Sequence, residues 1–271
     1  MIRKCFTINP HRTKDEILSY EENLIKTNIY SGCEIFYPYN VSEEQYNDYI
    51  QAVKSYLKYD SFEIVCHLPY GAMNNVATYK DLDETMTRLK KGIDFASLFN
   101  VTKLTYHPGN LDGSLSRVEA IELAIKNIRE LALYAKKYNM IFMIENLIGE
   151  QELCAKLEET KYFLESLKDC DVKLIFDCAH CHVAYKGDNN AIFDYLNTLG
   201  DYLSHIHVSD NHGLRDEHAP LLSGTIDYVK YFEWLKQHGY KGLYSSEVLF
   251  KDYNDLIKTS NSMDIIGGKN E

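Results

Sequence analysis

Proline and glycine are scarce in this chain, 5 and 14 of 271 residues, and tryptophan occurs once. That scarcity, with 45% hydrophobic and 25% charged residues, excludes collagen-like, low-complexity and disordered classes and leaves enough apolar side chains for a sizeable core. No apolar run approaches the roughly 18 residues that a membrane span requires, so no membrane partner is expected. The start MIRKCFTINPHRTKDEI lacks an export signal's apolar segment and small-residue cleavage site, and a cytoplasmic location is expected. Positive charge is in deficit, with 29 Lys and Arg against 40 Asp and Glu for a net charge of −11. The averaged field therefore repels polyanions, and nucleic acid is disfavoured as a partner unless local charge or bound metal intervenes. The seven cysteines are odd in number and irregularly spaced, unlike the framework of a small secreted protein, so reduced thiols are expected.

What is present is a long alternation. Short β-rich runs occupy residues 2–8, 32–38, 63–69, 103–109, 141–146, 172–177, 203–210 and 242–250. Stretches of helical periodicity separate them. The clearest covers 117–138, where Val118, Ile121, Ile125, Ile128, Leu131, Ala135 and Tyr138 recur at three- and four-residue steps. Ser116 with Glu119, Thr13 with Glu16 and Ser42 with Gln45 carry the spacing of capping boxes, which mark helix starts. Eight strand-then-helix units without hairpin turns call for a parallel sheet with right-handed crossovers, which closes as a (β/α)8 TIM barrel. A doubly wound open sheet is the competitor. It usually carries a glycine-rich phosphate turn after its first strand, where TINPHRTKDE stands here. No linker is visible, so a single domain over 1–271 is expected, with a frayed end at IIGGKNE (265–271) and Trp234 in the core.

In such a barrel the C-terminal strand ends converge on one mouth. The expected strand ends place there His67, His107, Glu145, Asp177, His180, His207, Asp210 and Glu247, and the loop after the seventh strand adds Asp216 and His218. Each strand-end group interrupts an apolar or β-branched run, and burying it is costly unless it is paired or bound to metal. A mixed imidazole and carboxylate set suits zinc, manganese or a similar divalent ion. Metal binding is therefore expected from the residues themselves. Cys178 to His182 matches the C-x-x-C-H pattern of c-type haem attachment, but it lies at a barrel strand end in a chain with no export signal, and the haem reading is rejected.

These residues resemble a known superfamily, the xylose-isomerase-like TIM barrels, which include sugar-phosphate isomerases and epimerases and also endonuclease IV. HLPY (67–70), YHPG (106–109), IEN (144–146), FDCAH (176–180), HVSDNHGLRDEH (207–218) and SSE (245–247) carry the resemblance, which spans essentially the whole chain. The resemblance implies a cytoplasmic, metal-dependent isomerase or epimerase acting on a sugar or sugar phosphate. In the superfamily's ketose epimerases one metal is held at positions matching Glu145, Asp177, His207 and Glu247. Glu145 and Glu247 would then remove and return a proton through an enediolate whose charge the metal stabilises. The metal would be one Zn, Mn, Mg or Co.

The alternative is a phosphodiesterase similar to endonuclease IV, acting on abasic-site DNA with two to three zinc ions. Its ligands would be His67, His107, Glu145, Asp177, His180, His207, Asp216, His218 and Glu247. Against it, the glycine-rich stretches expected after Asp216–His218 and after Glu145 read PLLSG (220–224) and NLIGE (146–150). The resemblance also makes Arg215, Tyr70 and His180 candidate substrate contacts. His11, His182 and His212 are candidate partners of the ligands. A non-catalytic sensor barrel remains a third reading, and a homo-oligomer is compatible with all three.

Overall fold

The computed structural model describes residues 2–268. Eight parallel strands close into one barrel in chain order: β1 (Arg3–Ile8), β2 (Gly32–Phe36), β3 (Glu63–His67), β4 (Lys103–Tyr106), β5 (Ile141–Glu145), β6 (Lys173–Asp177), β7 (Leu203–Val208) and β8 (Leu243–Ser246). Pairing of Cys5 with Ser245 joins β8 back to β1 and leaves no sheet edge. The open-sheet competitor is thereby excluded.

The main helices between and after the strands are α1 (Lys14–Tyr20), α2 (Glu43–Lys54), α3 (Leu82–Ala96), α4 (Arg117–Lys136), α5 (Leu157–Ser166), α6 (Cys178–Ala184), α7 (Asn189–Leu199), α8 (Tyr228–Gln237) and α9 (Tyr253–Ile266). All three capping boxes form, at Thr13, Ser42 and Ser116. Helix α4 ends two residues before Tyr138, which is exposed, and Val118 faces solvent, because the buried stripe runs through Ala120, Ala124, Ile128, Leu131 and Ala135 instead. Trp234 is half-buried against the core rather than inside it, donating its indole N–H to Asn197. Ile265 and Ile266 complete α9, and Ile266 packs on the core, so the frayed end does not begin there; residues 269–271 lie outside the described part.

The period-two alternation of strands sorts the core into two. Leu104, Tyr106, Ile144, Phe176, Ile206 and Tyr244 point outward beneath the helices and belong to the large outer cluster. Cys5, Val65, Met143, Ile175 and Leu243 fill the barrel interior as a separate small cluster. Two residues beyond four of these positions, the same inward face carries Thr7, His67, Glu145 and Asp177, directly above that apolar plug. Among the described residues no helix is long and apolar enough to cross a membrane. All seven cysteines are free and buried.

Candidate metal centre

Inward-facing strand ends bring four of the expected side chains to one point. Nδ1 of His207 lies 3.2 Å from Glu145 Oε1, 3.9 Å from Asp177 Oδ2 and 3.4 Å from Glu247 Oε2. One donor atom from each of the four residues falls within 4.8 Å of all the others, an arrangement that could hold a metal ion. The donor set fits a divalent cation, because Asp177 Oδ2 and Glu145 Oε2 are buried without a hydrogen-bond partner.

The second group is formed by His67, His107 and Glu145, which again come within 4.8 Å. Glu145 Oε2 lies 3.2 Å from His107 Nε2 and 3.7 Å from His67 Nε2, without hydrogen-bond geometry to either. The third is looser: His218 Nε2 is 2.7 Å and His180 Nε2 is 3.6 Å from Asp216 Oδ2. All nine residues expected from the sequence therefore meet at the mouth.

Local structure explains these placements. Asp177 ends β6 and caps α6, accepting a 2.7 Å hydrogen bond from the His180 backbone N–H, so one residue serves the cluster and sets the start of the helix that carries His180. His180 Nδ1 lies 3.0 Å from the Asn146 carbonyl oxygen. Asp210 is not at the cluster. Its buried carboxylate accepts backbone N–H bonds from Asn211, Gly224 and Ile226, which folds the loop bearing Asp216 and His218 back over the mouth. That loop passes so close to the α6–α7 connection that a Cβ on Gly213 would sit 2.5 Å from Gly187 Cα.

The electrostatics separate the two glutamates. Burial would raise the Glu145 pKa, but the charges of His207 and His107 and the close approach of the His107 and His180 rings overcome it, and the carboxyl lies well below its usual range. Glu247 is raised: burial outweighs the pull of His207, and the charges of Glu145 and Asp177 reinforce it. Burial likewise disfavours the His218 cation, yet its hydrogen bond to Asp216 and the charge of Glu247 lift its pKa to about 9.

A sequence comparison decides the family. The model of the xylose isomerase-like TIM barrel family matches residues 25–262. The chain belongs to that family. Within its reach, an uncharacterised protein of Methanocaldococcus jannaschii is 27% identical over 203 residues, covering 73% of this chain and 67% of the relative. A probable endonuclease 4 of Metamycoplasma arthritidis is 24% identical over 198 residues, 69% of each chain. Among solved structures, a D-tagatose 3-epimerase-like protein superposes with a TM-score of 0.76 at 23% identity, over 97% of this chain and 98% of that one.

Not every expected residue joins this cluster. Tyr70 does, stacked on His107 at 4.5 Å between ring centroids and lining the mouth. Arg215 does not: it is exposed, lies outside the cavity lining, and exerts its charge on Glu217. His11 is exposed, and His212 is turned outward to Glu217. His182 is buried with Nδ1 on Asn211 Oδ1 and belongs to none of the close donor groups. Two residues escaped the sequence reading, Glu34 and His205. Both interrupt apolar strands as the others do, but they stand mid-strand, one layer below the ends where sites are sought. Glu34, His205 and His207 form a further close group of donors.

Proposed function

We propose that the protein is a divalent-metal-dependent isomerase or epimerase of a sugar, a sugar phosphate or a related polyol. The observation that carries this reading is the convergence of Glu145, Asp177, His207 and Glu247 on one point, of which Glu247 lines a small cavity together with His67, His107, His180, Asp216 and His218. The cavity measures about 460 Å³, the size range of small-molecule sites. Its walls mix Phe36, Tyr70, Leu147 and Val248 with polar residues, which suits the mixed C–H and hydroxyl surface of a sugar.

A divalent ion held by these four residues would polarise a substrate carbonyl, which lowers the cost of removing the adjacent C–H proton by several kcal/mol. Proton movement falls to the two glutamates. Glu145, held ionised, takes the proton; Glu247, raised, returns one, on the same face for isomerisation or the opposite face for epimerisation. His207 stands between them and stays fixed.

A ketose panel assayed with Glu145→Gln and Glu247→Gln tests this. Metal-dependent turnover by the wild type, lost in both variants, supports it; turnover retained by both sinks it.

A second reading, a metal-dependent phosphodiesterase, has its own observation: His67 and His107 beside Glu145, and His180 and His218 beside Asp216, are more donors than one metal uses. It expects cleavage of an abasic-site duplex that fails when His67, His107 or His218 is removed. The cavity lining argues for the small substrate. It contains no lysine and one arginine, Arg12, which is engaged by the carbonyl oxygens of Phe250 and Lys251 and by Glu16.

A further inference from the structure

Glu34 lies fully buried inside the barrel, one layer below the mouth, next to the apolar plug. A buried carboxylate there costs several kcal/mol by comparison with an apolar side chain, so packing does not account for it. Its contacts do. Thr105 Oγ1 donates to Oε1 at 2.8 Å, and Ser245 Oγ donates to Oε2 at 2.8 Å. Oε2 also lies 2.8 Å from Nε2 of His207, and His205 Nε2 approaches the same oxygen at 3.4 Å.

An ionised carboxylate can only accept, so His207 must present an N–H at Nε2. As a cation His207 carries a proton on Nδ1 as well; the form that can bind a metal is the neutral imidazole, whose one proton stays on Nε2 and whose lone pair is then on Nδ1. Nδ1 is the nitrogen that faces Glu145, Asp177 and Glu247.

We infer that Glu34 is a positioning residue for the metal centre: held by Thr105 and Ser245, it fixes the tautomer and ring orientation of His207 so that Nδ1 is offered to a divalent cation. This rests on the metal reading of the four-residue group. Glu34 never touches substrate in this scheme. It acts through His207, and its effect belongs on metal affinity before it belongs on turnover. A glutamine there is isosteric, but its amide can donate to Nε2 and so favour the tautomer with its proton on Nδ1, the wrong one for binding.

The test is a titration of metal-free protein with Zn²⁺ under chelator competition, and with Co²⁺ followed by its visible absorption, for the wild type and Glu34→Gln. The expected result is an affinity about 10–100-fold weaker and an altered Co²⁺ band. The metal-free melting temperature of each protein is recorded beside the titration, so that weaker binding is separated from a loss of the fold. Thr105→Val with Ser245→Ala, which keeps the carboxylate but frees it to turn, should weaken Zn²⁺ binding by a smaller factor. Equal affinities and Co²⁺ spectra in wild type and Glu34→Gln would overturn the inference. Should Glu34→Gln not fold, unchanged affinity in the double variant would overturn it. A wild type that binds neither ion would instead refute the metal centre itself.

Discussion

Glu145 and Glu247 reach the same atom, Nδ1 of His207, from β5 and from just beyond β8, at 3.2 and 3.4 Å, yet their surroundings push their pKa values in opposite directions. Those opposite directions are what the proposed division of proton transfer between the two glutamates requires. Replacing either by glutamine keeps the shape and removes the proton-transfer group. Each variant is expected to lose about 10²–10⁴-fold in kcat, with an unchanged circular dichroism spectrum showing that the barrel persists.

Removing metal should also be visible in stability. A cation that binds the folded barrel and not the unfolded chain stabilises it by about 2.7 kcal/mol at a hundredfold excess over Kd. The melting temperature is therefore expected to fall on chelation and to recover on adding a divalent ion. His207→Ala, which removes a member of the four-residue group, should abolish most of the recovery.

The pH dependence of the metal-free protein has a definite sign. His218 is raised to about 9 from a reference of 6.5, so the folded state holds its proton more tightly than the unfolded one. The stabilisation is complete below about pH 6.5 and is lost as pH rises through 9. His180 and His207, also raised, act in the same direction. In chelator, the melting temperature should decline across this window, and Asp216→Asn should flatten part of the decline. A wild-type profile level from neutral to alkaline pH would show that these histidines are not held as cations.

The helix starts offer a check away from the site. Ser116 Oγ accepts from the Glu119 backbone N–H, while Glu119 Oε2 accepts from the Ser116 backbone N–H at 2.9 Å. Ser116→Ala is expected to cost about 1 kcal/mol, read as a lower urea midpoint with no change in metal binding.

The barrel was legible because its two signals are local. Apolar strand runs and capping boxes at Thr13, Ser42 and Ser116 depend on neighbours in sequence, and each recurs in the structure. The nine-residue cluster was legible for a related reason: an acid or histidine that interrupts a strand end has few outlets other than the mouth. Glu34 and His205 escaped because a mid-strand residue reveals its partner only through barrel closure, which sets β2 and β7 face to face across the interior. Arg215 stands exposed outside the cavity lining, because motif spacing fixes a loop position without fixing which way the side chain turns.

Metal content per chain tests the central claim most directly, measured by inductively coupled plasma mass spectrometry on untagged protein purified without chelators, alongside His207→Ala. The account predicts roughly one tightly held divalent ion in the wild type and its loss in the variant. A wild type that carries no metal and takes none up from zinc, manganese or cobalt solutions would contradict it.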